Sequence, residues 1–225
     1  MRGAPHRSNN PACRKAHRFL PLLLFLFLLP FPPSPAFCSG SAGAGQNSAA
    51  PVVRKFNAVL LEAMKRADEL GYTGRYRLLE PVIKDSFALP YMANASIGRY
   101  GKTLDEKQKD AFLALYTEWT TASYAGRFDG YSGERFEVEP ETVSPQGTAV
   151  VVSRMVQENG DVIAFHYQLR AIEGKWRIVD IQISGVSQLA LTRSQFVNTI
   201  KNDGFDALTS QLKNKIKRYA RGEEK

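Results

Sequence analysis

Between Thr148 and Ile183 apolar side chains recur at every second residue, and on both sides of that stretch they recur at every third or fourth. A chain with this change of period cannot be an all-helical bundle or an all-β sandwich. Val150 and Val152 stand in a β-branched run. Ile163, Phe165, Tyr167 and Leu169 alternate strictly, as do Val179, Ile181 and Ile183. Asn159-Gly160 and Glu173-Gly174 separate the three runs with residues that tolerate the positive φ of tight hairpin turns. The pattern predicts an antiparallel meander of three strands, to which Glu134–Val143 adds a fourth. The expected class is α+β, with helices packed on one face of a curved antiparallel sheet of about four strands.

The helical segments are read from their stripes. Phe56, Val59, Leu60, Ala63, Met64 and Ala67 predict one amphipathic helix, ended by Gly71 and Gly74. Leu78–Leu89 reads as a shorter helix broken by Pro81 and Pro90. Thr103 and Glu106 have capping-box spacing, ahead of the stripe Phe112, Leu115, Tyr116 and Trp119, and this long helix should run to about Tyr124. Thr192 and Gln195 have the same spacing before Phe196, Val197 and Ile200. A last stripe comprises Phe205, Leu208, Leu212, Ile216 and Tyr219.

The 225 residues carry 30 Lys and Arg against 22 Asp and Glu, a net charge of +8. Five of those cations (Arg2, Arg7, Arg14, Lys15 and Arg18) lie in the first 44 residues, which contain no acid. They precede the apolar run Phe19–Phe31, which is short of the ~20 residues a spanning helix needs. Basic start, apolar run and small residues make the layout of a secretory signal peptide. It is assigned to residues 1–38, with cleavage bracketed between Ala36 and Ala44. Residues 39–51, rich in Gly, Ala and Ser, read as a flexible linker, and 52–222 as a single domain. Cleavage after Cys38 removes both cysteines and leaves His166 as the sole histidine. The remainder holds 25 basic and 22 acidic residues, an excess of +3, and no nucleic-acid-binding motif, so no nucleic acid is expected as partner.

The chain shows no GxSxG, HExxH, P-loop or GxGxxG pattern, and no catalytic residue, metal or cofactor is assigned. His166 lies on a strand, on the face opposite its aromatic neighbours. Asp180, in an apolar strand, fits either a general base in a cavity or a structural carboxylate. Asn94-Ala-Ser96 matches a three-residue glycosylation sequon. Lys213, Lys217 and Arg221 form a basic face on the last helix, suited to an anionic membrane or acidic partner, or else an ordinary solvated face.

Trp176-Arg-Ile-Val-Asp-Ile-Gln-Ile-Ser-Gly-Val-Ser187, with Arg193-Ser-Gln-Phe196 and Gly204-Phe-Asp-Ala-Leu208, resembles the MlaC/toluene-tolerance family of periplasmic lipid-binding proteins. Gly98-Arg99-Tyr100 fits the same layout, and the likeness covers about residues 52–215. Thr121–Phe136 and Ser187–Ser194 resemble its hopanoid-associated branch, HpnM. The resemblance implies a monomeric periplasmic carrier with an apolar cavity between sheet and helices. It would hold phospholipid or hopanoid-type lipid and pass it between inner- and outer-membrane transport complexes. Val150, Val152, Phe165, Tyr167, Val179 and Ile181 are the candidate cavity wall, although a solid core would use the same residues. Lys213, Lys217 and Arg221 are the candidate docking face. Two other classes fit the same pattern: a cone-shaped isomerase or dehydratase using Asp180, and an adaptor without a cavity.

Overall fold

The computed structural model describes residues 48–224. The leader assigned to residues 1–38, its cleavage bracket and the linker up to residue 47 lie outside the described residues. Six α-helices and six strands follow one another as α1 (Ala50–Lys65), α2 (Ala67–Ser86), α3 (Leu89–Ile97), α4 (Glu106–Arg127), β1 (Arg135–Val138), β2 (Thr142–Val143), β3 (Thr148–Val156), β4 (Val162–Ile172), β5 (Lys175–Ile183), β6 (Val186–Ser187), α5 (Gln188–Asp203) and α6 (Phe205–Ala220). Among the described residues no helix is long and apolar enough to cross a membrane.

The strands form one antiparallel sheet in the order β1-β3-β4-β5-β6, with β2 also on β3. The expected fourth strand is thus two short ones, paired to successive parts of β3. Pro140 lies between them and has no N–H to give the ladder. Glu173 and Gly174 both have positive φ, 51° and 73°, the two-residue geometry that matches strand twist. Ser184 and Gly185 repeat it (51° and 78°) and add β6, which the sequence did not signal.

Register decides which side chains face the helices. Ala149, Val151 and Ser153 stand opposite Leu169, Tyr167 and Phe165, and all six are buried. Val150 and Val152 pair with Gln168 and His166 on the other, half-buried face.

Several helix boundaries differ from expectation. Pro51 occupies the first turn of α1, where its missing N–H costs nothing, so Ala50 and Pro51 are helical rather than linker. In α2 only Gly71 leaves helical geometry (φ 57°, ψ −175°), and Pro81 sits inside the helix. Burial of Leu79, Val82 and Ile83 around Pro81 outweighs the hydrogen bond the proline forfeits. Arg75 secures the kink by donating to the carbonyls of Ala67 (3.0 Å) and, across to α4, Ala125 (2.9 Å). The α4 cap is Asp105, not Thr103: Asp105 accepts from Gln108 N and Gln108 returns the bond, while the Thr103 hydroxyl donates to Tyr100. Likewise Ser187 caps α5, and Thr192 lies within the helix. The Asn94 sequon falls on α3, with Ser96 buried and bonded to Ala93.

One polar bridge fixes α1 on the sheet. Asn57, 2% exposed, donates to Ser153 Oγ (2.7 Å) and accepts from Tyr167 Oη (3.1 Å). Asn57→Ala leaves two buried hydroxyls without their partner, at ~1–3 kcal/mol each. Urea denaturation should show a loss on the order of 3 kcal/mol; a loss below ~0.5 kcal/mol, the scale of a surface change, would mean the bridge does not hold α1.

Candidate functional site

A cavity of about 340 Å³ lies between the inner face of the sheet and the helices, open to solvent at one side. It falls in the range of ~300–1,000 Å³ typical of small-molecule sites. Its floor is Phe165 and Tyr167 of β4 with Ile181 of β5. Helix α4 supplies Tyr116, Trp119 and Tyr124, and Phe128 follows at its C-cap.

The aromatic walls are locked to one another. Phe56 of α1 packs edge-on against Phe87 (centroids 5.1 Å), Tyr124 (5.2 Å) and Tyr167 (6.3 Å). Tyr124 stacks on Phe128 at 5.8 Å, and Trp119 meets Phe196 of α5 at 5.4 Å. Burial pushes the phenols of Tyr116, Tyr124 and Tyr167 upward, so all three are neutral at physiological pH. Apolar rings with uncharged hydroxyls form an interior that suits hydrocarbon. Among the described residues no cluster of metal-ligating side chains occurs.

Asp180 is the one buried carboxylate among the described residues, and it lines the cavity. A β-bulge places it there: Gln168 pairs with Asp180 and Leu169 with Ile178, so Val179 is the extra residue. The bulge interrupts the alternation, and the four residues from Ile178 to Ile181 are all buried. Asp180 Oδ1 accepts from Ile181 N (2.8 Å) and from Leu189 N in the first turn of α5 (3.0 Å). It serves as a strut between strand and helix.

The wall also carries polar groups. They include Arg127 at the end of α4, Gln188 and Gln195 of α5, and Lys215 of α6. Helix α6 approaches α4 closely at Gly126, where a Cβ would lie 2.5 Å from Tyr219 Cδ1.

A model of the MlaC protein family matches residues 54–214. The chain belongs to the MlaC family. It is 23% identical over 128 residues to the intermembrane phospholipid transport system binding protein MlaC of Haemophilus influenzae, covering 55% of this chain and 60% of that one. It is also 23% identical over 146 residues to the toluene tolerance protein ttg2D of Pseudomonas putida, covering 64% of this chain and 66% of that one. Both alignments span less than two thirds of the curated relative. The fold matches a phospholipid-binding protein from Ralstonia solanacearum, solved in complex with a phospholipid. The TM-score is 0.67 at 19% identity, over 77% of this chain and 99% of that one.

In this MlaC-family chain the six wall candidates divide. Phe165, Tyr167 and Ile181 line the cavity. Val150 and Val152 do not, because their register turns them to the outer face. Val179, buried at the bulge, is not part of the wall either. His166 stands on the outer face beside Val152 and Gln182. Lys213 and Lys217 are exposed on α6 and Arg221 at its C-cap, the last paired to Glu223 at 2.9 Å. The sequence reading placed no residue of α4 in the wall, although Tyr124 follows Tyr116 at i+8 and Phe128 follows Tyr124 at i+4, spacings that share a helix face.

The strut role of Asp180 makes a stability prediction. Asp180→Asn keeps an oxygen that can accept both N–H groups and should cost little stability. Asp180→Ala orphans them and should cost ~1–3 kcal/mol in chemical denaturation. Equal stability of the two variants would contradict the strut.

Proposed function

We propose that this chain is a periplasmic carrier that binds lipid in the cavity and shuttles it between membranes. The observation that carries the proposal is the cavity itself, walled mainly by aromatic and aliphatic side chains, on a fold shared with a protein solved with phospholipid bound. Exposing a 15-carbon chain to water costs on the order of 12 kcal/mol at ~0.8 kcal/mol per CH₂. Aromatic walls that exclude water lower that barrier, with no bond made or broken.

The cargo is a phospholipid or a hopanoid-type lipid. The names of the relatives support the first, and the likeness of Thr121–Phe136 and Ser187–Ser194 to the hopanoid-associated branch supports the second. The leader at residues 1–38 directs export, and the basic face Lys213, Lys217 and Arg221 docks the carrier on anionic bilayers or on inner- and outer-membrane transport complexes. The Oδ1 of Asp180, the residue an isomerase or dehydratase would use, accepts two backbone N–H groups, which supports a structural role for it.

Protein purified from its native compartment should yield bound lipid on organic extraction and mass spectrometry. Lipid-free protein that also takes up neither phospholipid nor hopanoid would end the carrier proposal. Replacing Lys213, Lys217 and Arg221 by Gln should reduce flotation with vesicles containing phosphatidylglycerol, at ~1 kcal/mol per cation. Unaltered flotation and unaltered complex binding would remove this face from the mechanism.

A further inference from the structure

We propose that a second cleft, at the end of the sheet away from the cavity, is a docking site for acidic side chains of a partner protein. The site goes beyond the lipid-carrier reading and uses none of the residues that line the cavity.

The cleft has a volume of about 270 Å³ and lies where α1, the end of α2 and the start of β5 meet. Lys55, Asp85, Lys175 and Arg177 are in its lining. The cavity uses Asp180, Ile181 and Ile183 of β5, the cleft Lys175, Trp176 and Arg177, and no residue belongs to both.

Three cations share one carboxylate there. Lys55 Nζ lies 2.7 Å from Asp85 Oδ2, and Arg177 Nη1 lies 3.1 Å from Oδ1. Asp85 brings those two cations together and cancels the charge of one. Lys175 has no carboxylate within ion-pair distance among the described residues, and Glu173, on the adjoining turn, pairs with none of the three. Across the ladder Arg170 stands directly opposite Arg177, a like-charge pairing that weakens a sheet. Arg170 lies over the Tyr91 ring at 5.6 Å and has no carboxylate partner among the described residues either. Residues 39–47, which lead to Ser48 in the cleft lining, contain no acid and cannot supply the missing charge.

The depth of the cations selects the class of anion. Arg177 has 21% of its side chain exposed, so its guanidinium is recessed. A bilayer presents its headgroups as a flat surface and meets protruding cations such as Lys213 and Lys217. An Asp or Glu side chain on a docked protein enters a cleft. A guanidinium carries five N–H donors, of which Asp85 takes one at Nη1, and a second carboxylate makes charge-assisted bonds with the rest of the fork. A partner bound here leaves the cavity uncovered.

The test titrates a capped tetraglutamate peptide, its tetraglutamine counterpart, inorganic phosphate and phosphatidylglycerol vesicles against the protein purified from its native compartment. Tetraglutamate should bind about tenfold more tightly than tetraglutamine, and the preference should shrink with added salt. In Lys55→Gln/Lys175→Gln it should fall toward one, while Lys55→Arg/Lys175→Arg and Lys213→Gln/Lys217→Gln retain it. The first pair leaves Arg177 on Asp85, and thermal melts alongside show that the variants keep the fold. No preference in the wild type, or a preference lost with the α6 substitutions and kept with the cleft ones, overturns the site. Inorganic phosphate that binds as tightly as tetraglutamate makes it a site for free anions and overturns the protein partner. Vesicle binding that the cleft substitutions abolish makes it a membrane surface, with the same consequence. Bound lipid is not read in any of these measurements, so the carrier stands or falls separately.

Discussion

The hydrogen-bonded bridge of Asn57 to Ser153 and Tyr167 holds open what apolar packing alone would close. Facing apolar walls gain ~25 cal/mol for every Å² they take out of water, so a cavity between a sheet and its helices tends to collapse. Directional bonds oppose this because they specify a distance. Asn57 sits on α1, Ser153 on β3 and Tyr167 on β4, so one amide ties one helix to two strands. Its neighbour Phe56 then sets the aromatic contacts with Phe87, Tyr124 and Tyr167. The one hydroxyl of the cavity floor, on Tyr167, is thereby satisfied, and its ring faces are left for apolar contact.

The other walls are fixed by contacts of the same kind. Asp180, re-aimed by the bulge at Val179, receives the first turn of α5 through Leu189 N. Arg75 holds the end of α4 through Ala125. Gly126 lets Tyr219 of α6 lie against α4, and a side chain there would force the helices apart. Each of these anchors joins two elements through backbone or a ring.

The strands and their turns were legible because alternation over Ile163–Leu169 and the Glu173-Gly174 turn admit one reading. Parity in β3 was not, because Ala149-Val-Val-Val152 is apolar on both faces and only its pairing with β4 assigns Val151 inward. The bulge left no mark, since Ile178, Val179 and Ile181 are ordinary strand residues and the extra residue exists only relative to β4. The caps show a competition that spacing alone does not resolve. Thr103 and Asp105 both qualify, and Thr103 is used up by the Tyr100 carbonyl. Half the proposed wall was therefore visible, on the strand where period and burial agree, and the helical half required the packing of α4.

Helix α6 reconciles the two properties a lipid site needs. Leu208, Leu212 and Tyr219 are buried in the body of the domain, Lys213 and Lys217 face solvent, and Lys215 stands between them at the cavity edge. With 3.6 residues per turn, Lys215 and Lys217 are roughly 200° apart around the axis, so the basic tail is two surfaces rather than one. The outward one faces solvent, and the inward one borders the cavity. The excess charge of the domain, small when counted as a sum, acquires its meaning from this division. A cation beside an apolar chamber is costly to leave unpaired, and the Glu224 carboxylate, 3.5 Å from Lys215 Nζ, meets that need.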